Sequence, residues 1–269
     1  MKIAITLILA AVVLAWAAKF WGAALQRHLT YYPKRAAESE LLALAASSRF
    51  EPWRAGSELI GWKRPGTGGG PSALVFHGNS GYALHRDDLA ATLESARPDL
   101  DVYVLEYPGY GARDGSPSEP AFLAAALEAI AAIPGNPKPV IVGESLGTAV
   151  ACQVARAVPE RISGILLVTP FDSLAGVGKV HYPYLPARLL MADRFDSVAA
   201  LSTYDGPSVI FLAGDDTITP PELGRRLHAA HRGPKRIREF PGAGHNDLPF
   251  AAPAAEWRAA LDFALGVPR

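Results

Sequence analysis

A short apolar run, Val140-Ile141-Val142, leads without a break into Gly143-Glu144-Ser145-Leu146-Gly147 and then into Thr148-Ala149-Val150, which suits a helix. No other stretch restricts the fold of this chain as strongly. A strand that turns into a helix within one residue forces that residue into a strained backbone conformation, and glycines two positions to either side keep side chains out of the crowded crossing. Ser145 is therefore predicted to stand exposed above the carboxyl end of a sheet. The helix dipole behind it favours developing negative charge. The pentapeptide Gly-x-Ser-x-Gly is common by chance, and its meaning comes from the strand before it and the helix after it.

The chain around this turn alternates between two element types. Strands are predicted at Ala73 to Phe76, Asp101 to Tyr107, Val140 to Gly143, Ile165 to Val168, Ser208 to Ala213 and Arg236 to Phe240. Helices are predicted between them, at Leu84 to Ala96, Ala121 to Ile133, Ser145 to Ala157 and Pro221 to His231, with a last one at Ala254 to Leu265. Continuously apolar strands separated by helices imply an α/β fold, with a mostly parallel central sheet covered by helices on both faces. Sites in such sheets lie at the carboxyl ends of the strands. Shorter alternating pieces between Phe50 and Arg64 predict opening antiparallel strands. Thr169 to Pro207 is too long for an ordinary connection and contains two helical pieces, Ala187 to Ala192 and Asp196 to Leu201. It is read as a small lid over a substrate pocket or as an ordered surface excursion. The expected organisation is an N-terminal segment (1–25), a connector with no identifiable chemistry (26–49), and one α/β domain (50–269) with the lid at about 170–207.

Hydrophobic residues make up 49% of the 269 positions, enough for a substantial core. Twenty-six basic residues balance twenty-six acidic ones, so nothing argues for a nucleic-acid partner. One cysteine, Cys152, excludes an internal disulfide and a multi-cysteine metal site, and its position two helical turns after Ser145 makes it a core residue. The oligomeric state is not readable. Ile3 to Ala18 carries no charge and, as a helix, reaches about 24 Å, short of a hydrocarbon core of about 30 Å. If Lys19 snorkels, the apolar stretch continues through Phe20 and Trp21 to Leu25 and spans. A single retained membrane anchor is expected. The alternatives are a signal peptide cut after Ala15-Trp16-Ala17, leaving a secreted or periplasmic protein, and a buried helix. Basic residues after the segment outnumber Lys2 before it, which by a small margin puts the domain in the cytoplasm.

A serine hydroxyl is a poor nucleophile unless a base and an orienting acid accompany it. In a sheet of this kind they follow in the order serine, acid, histidine, each in a loop after a strand. The strand ending at Ala213 is followed by Gly214-Asp215-Asp216, two adjacent carboxylates of which only one can face the site. Directly after Phe240 comes Pro241-Gly242-Ala243-Gly244-His245, where small residues let the backbone approach closely. His245 is the candidate base. Of the other histidines, His77 is expected to buttress its loop, while His228 and His231 are expected to be solvated on a charged helix. His77-Gly78-Asn79-Ser80-Gly81 follows the first parallel strand, where half of an oxyanion hole is expected, and the backbone N–H groups of Asn79 and Leu146 are the candidate donors.

With these residues in place the chain resembles the α/β-hydrolase superfamily, and within it the membrane-anchored Bem46-like serine hydrolases. The resemblance rests on Phe76-His77-Gly78-Asn79-Ser80-Gly81, Glu106-Tyr107-Pro108-Gly109-Tyr110-Gly111, Gly115-Ser116-Pro117-Ser118-Glu119, the Ser145 turn and Gly244-His245-Asn246-Asp247, together with the apolar amino terminus. It implies that the acid is Asp216, four residues before Pro220 in a Gly-x-x-Asp-x-x-x-Pro pattern, with Thr219 standing where the group commonly has valine. It also implies hydrolysis of small-molecule esters or thioesters of long acyl chains, or of related amides, by Ser145, Asp216 and His245 without a metal or organic cofactor. Two rivals are an aminopeptidase-like amide hydrolase, for which Asp193 and Asp196 would be the amine-capturing acids, and a membrane-tethered binding protein on a hydrolase scaffold.

Overall fold

The computed structural model describes residues 22–135, 138–184 and 191–268. In chain order the elements are helix α1 (residues 22–30), β1 (Tyr32–Pro33), α2 (Glu38–Ser47), β2 (Glu51–Ala55), β3 (Glu58–Arg64), β4 (Ser72–Phe76), β5 (Ser80–Gly81) and α3 (Asp87–Ala96). They continue with β6 (Asp101–Leu105), α4 (Glu119–Ala132), β7 (Val140–Glu144), α5 (Leu146–Ala157), β8 (Gly164–Val168), α6 (Leu174–His181) and α7 (Ser197–Leu201). The chain closes with β9 (Ser208–Ala213), α8 (Pro221–Ala230), β10 (Lys235–Phe240), α9 (Leu248–Ala251) and α10 (Ala254–Ala264).

Eight of these strands form the main sheet in the order β10-β9-β8-β7-β4-β6-β3-β2. Pairing is parallel from β10 to β6 and antiparallel at β6/β3 and β3/β2, as the sequence pattern predicts. Alternate residues of each parallel strand serve different faces. Leu74, Phe76, Ile141, Ile165 and Leu167 pack toward Phe122, Val150 and Leu227, from α4, α5 and α8. Val75, Val142, Leu166 and Val168 pack toward Leu93, Trp257 and Leu261, from α3 and α10. Both faces are buried, and each fully buried Leu, Ile or Phe there stabilises the fold by roughly 1.5–3 kcal/mol relative to exposure. β7 lies between β4 and β8, so the turn after it opens at the middle of the sheet edge.

Some elements depart from the expectations. α6 contains Gly176 and Gly178, which depress helix propensity and hid it in the sequence; the Ser173 side chain caps it by accepting from Gly176 N at 3.0 Å. Most of the piece expected at Ala187 to Ala192 lies outside the described residues. The other, expected at Asp196 to Leu201, is α7, with Asp196 as its cap accepting from Ala199 N at 3.0 Å. His231 is 1% exposed and 2.7 Å from Ser208 Oγ, so it is a core residue and not the solvated one expected; the turn after α8 folds it inward. Cys152 is fully buried, and burial pushes its thiol up to about 12. The apolar segment Ile3 to Ala18 lies outside the described residues. Among the described residues, no helix is long and apolar enough to cross a membrane.

Candidate active site

Ser145 has φ 51° and ψ −116°, a conformation that costs a non-glycine residue about 1–3 kcal/mol. The surrounding backbone enforces it. Ser145 N–H donates to Val168 O at 2.9 Å, and Ser145 O accepts from Thr148 N at 3.0 Å. The two glycines are needed for space: a β-carbon on Gly147 would lie 1.9 Å from Phe76 O, and one on Gly143 would lie 2.6 Å from Gly147 O. These contacts are with backbone, which cannot swing away. Gly147→Ala is therefore expected to destabilise the protein by about 3–5 kcal/mol. Thermal denaturation should report a fall on the order of 10 °C, and an unchanged midpoint would show that α5 does not cross β4 this closely.

The structure brings Ser145, Asp216 and His245 together. The His245 Nε2 is 2.9 Å from Ser145 Oγ, and its Nδ1 is 2.6 Å from Asp216 Oδ2. Asp216 is nearly inaccessible because β9 ends beneath it, and its Oδ1 accepts from Ile218 N and Thr219 N at 2.8 Å each. Burial works against its charge, but the hydrogen bonds from His245 and Thr219 outweigh it and hold the carboxyl below its ordinary value. Asp216 is thus a carboxylate at neutral pH. Because its folded pKa is depressed, its contribution to stability is present above the ordinary carboxylate pKa and is lost as pH falls through the folded one. An ionised Asp216 favours the tautomer with hydrogen on Nδ1, leaving Nε2 free to accept a hydrogen bond from the Ser145 hydroxyl. Asp215 is exposed, and among the described residues its one bond is the N–H donated to Ala243 O at 2.9 Å.

Thr219 joins the same network, a part the sequence reading missed. Its hydroxyl lies 2.9 Å from Asp216 Oδ2, 3.1 Å from Thr169 O and 3.2 Å from His245 Nδ1. The signal was its departure from the valine common in similar chains. The Leu146 N–H lies at the first residue of α5, directly after Ser145, and the Asn79 N–H lies in the loop after β4, where a β-carbon on Gly78 would be 3.5 Å from that of Ser145. Among the described residues, no protein acceptor takes either N–H.

Beneath the Asn79 loop, His77 is fully buried; its Nδ1 lies 2.8 Å from Gly78 O and its ring 4.3 Å from that of Tyr107. Burial lowers its pKa to about 3, so it is a neutral buttress, as expected. Glu106 is its neighbour, with Oε1 3.8 Å from His77 Nε2 and 3.1 Å from Ala83 N. Burial pushes Glu106 up to about 8. The folded state therefore holds a proton that the unfolded state releases near 4.5, and this group's contribution to stability falls as pH rises through that window. Glu106→Gln is expected to show a flatter dependence of melting temperature on pH between 5 and 8 than the parent chain. Parallel profiles would contradict a neutral Glu106.

Residues 71–202 match the family profile described as alpha/beta hydrolase fold. The chain belongs to the α/β-hydrolase family. It is 37% identical to an uncharacterized protein of Mycobacterium tuberculosis over 231 residues, covering 82% of this chain and 81% of that one. It is 28% identical to Protein bem46 of Schizosaccharomyces pombe over 186 residues, covering 66% and 62%, which supports the resemblance to Bem46-like proteins. It is 32% identical to a lysophosphatidylserine lipase of Danio rerio over 179 residues, covering 59% of this chain and 46% of that one.

The acids considered for amine capture are engaged elsewhere. Asp193 is 2% exposed, and its Oδ2 accepts from Tyr31 Oη at 2.9 Å and from Arg27 Nε at 3.2 Å. Asp196 caps α7.

Proposed function

We propose that this chain is a serine hydrolase that cleaves carboxylic esters or thioesters through an acyl-enzyme. The observation that carries the reading is the hydrogen-bonded chain from Ser145 Oγ through His245 to Asp216, at 2.9 and 2.6 Å. His245 Nε2 takes the hydroxyl proton as Ser145 Oγ attacks the acyl carbonyl, and Asp216 stabilises the imidazolium that forms. The N–H groups of Asn79 and Leu146 hold the oxyanion, reinforced by the amino end of α5. His245 then returns the proton to the leaving alcohol or thiol. Water, deprotonated by the same nitrogen, releases the acid and frees Ser145.

The substrate class we assign is a single-chain acyl ester of lipid type. A relative named as a lysophosphatidylserine lipase supports it. We assign residues 170–207 as the lid and residues 1–25 as a membrane anchor that would keep the domain near such substrates. The amide-hydrolase reading loses its feature with Asp193 buried against Tyr31 and Arg27. A panel of p-nitrophenyl esters of graded chain length, lysophospholipids, acyl-CoA thioesters and aminoacyl nitroanilides tests the assignment. Turnover of the esters is expected; turnover of the nitroanilides alone would overturn it.

A further inference from the structure

The connector, chemically bland in the sequence, lies against the Asn79 loop through its backbone. β1 pairs in parallel with β5, the strand that ends the Asn79 loop. Tyr32 N–H donates to Asn79 O at 2.9 Å, and the buried Tyr110 hydroxyl donates to the same oxygen at 2.7 Å. Asn79 Nδ2 donates to Thr30 O at 2.8 Å. Lys34 then bridges two loops, its N–H donating to Gly81 O at 2.8 Å and its O accepting from Gly111 N at 2.9 Å. The carbonyl of Asn79 is thus held by two donors and its side chain by a third contact. Two fixed groups on one α-carbon fix where its nitrogen lies, and the contact of His77 Nδ1 with Gly78 O at 2.8 Å holds the peptide plane that carries the Asn79 N–H, which faces no protein acceptor among the described residues.

We infer that the segment 30–34 and the Tyr110 hydroxyl are positioning elements for the oxyanion donor, holding the Asn79 N–H at the angle the tetrahedral intermediate needs. This rests on the oxyanion role assigned to Asn79 above. The cost of losing such alignment falls on the transition state and spares the ground state, because a planar carbonyl and a tetrahedral oxyanion occupy different positions. It also makes the stretch that follows the apolar segment a working part of the site, more than a tether.

The test uses the full chain with Tyr110→Phe, which removes one oxygen, and Asn79→Ala, which keeps the N–H but frees the side chain. On a p-nitrophenyl ester each is expected to lower kcat about 10-fold, a fraction of the loss seen when a whole oxyanion donor is removed. KM should hold, and affinity for a trifluoromethyl ketone, whose adduct carries an oxyanion, should fall by a similar factor. A merely structural role would lower the melting temperature and leave the ketone affinity of the folded fraction intact, and that result would overturn the inference. Unchanged kcat in Tyr110→Phe would overturn it as well, and this variant carries the test if Asn79→Ala fails to fold. Fluorophosphonate labelling of the parent chain at Ser145 separates the two levels. With labelling present and the variants unaffected, only this inference falls; without labelling, the serine hydrolase reading falls first.

Discussion

Replacing Ser145 with alanine is expected to lower ester turnover by on the order of 10⁶, the scale at which a nucleophile of this type is lost. The fold should survive the change. Alanine keeps the β-carbon, so the backbone strain at φ 51° is the same, and only the hydroxyl that meets His245 at 2.9 Å disappears. The main-chain bonds from Ser145 N to Val168 O and from Thr148 N to Ser145 O do not involve the side chain. A melting curve matching the parent, beside lost turnover and lost fluorophosphonate labelling, is the expected pair of results. Turnover close to the parent would mean that another residue carries the chemistry.

Changing Asp216 to asparagine is expected to lower kcat by about 10⁴ while KM changes little. The reason lies in which atom of the amide faces the histidine. The Asp216 Oδ1 is already claimed by two backbone donors, Ile218 N and Thr219 N, so an asparagine keeps its oxygen there and turns its NH₂ toward His245. His245 Nδ1 must then accept, its hydrogen moves to Nε2, and Nε2 can no longer take the proton of Ser145. Asp215→Asn is expected to leave kcat near the parent value, since that side chain is exposed and the bond the residue makes among the described residues comes from its N–H, to Ala243 O. Steady-state kinetics on the two variants decides between the carboxylates, and a large loss at Asp215 instead would contradict the geometry.

The contrast between these aspartates marks where the sequence stops being readable. Strands such as Val140–Glu144 and Gly164–Val168 announce themselves because their burial is a local property of apolar residues. The serine turn is equally plain, since a close crossing admits only glycine at positions 143 and 147. Which of two adjacent carboxylates faces inward depends on the path of Asp216 to Thr219 through space, and only resemblance to other chains suggested the answer. The burial of Asp193, a candidate only for the rival amide-hydrolase reading, was hidden for the same reason, because Tyr31 and Arg27, more than 160 positions away in the chain, cover it. The connector was silent for a different reason. Its bonds to Asn79, Gly81 and Gly111 come from N–H and C=O groups that almost any residue supplies, so no side chain betrays them.

The most direct measurement is rapid quenching of the parent chain with a slowly deacylating p-nitrophenyl ester, followed by proteolysis and mass spectrometry of the peptides. One acyl group is expected, bound to Ser145 and absent from Ser145→Ala. An acyl group on any other residue, or ester hydrolysis with no acyl-enzyme under conditions that trap one in known serine esterases, would contradict it.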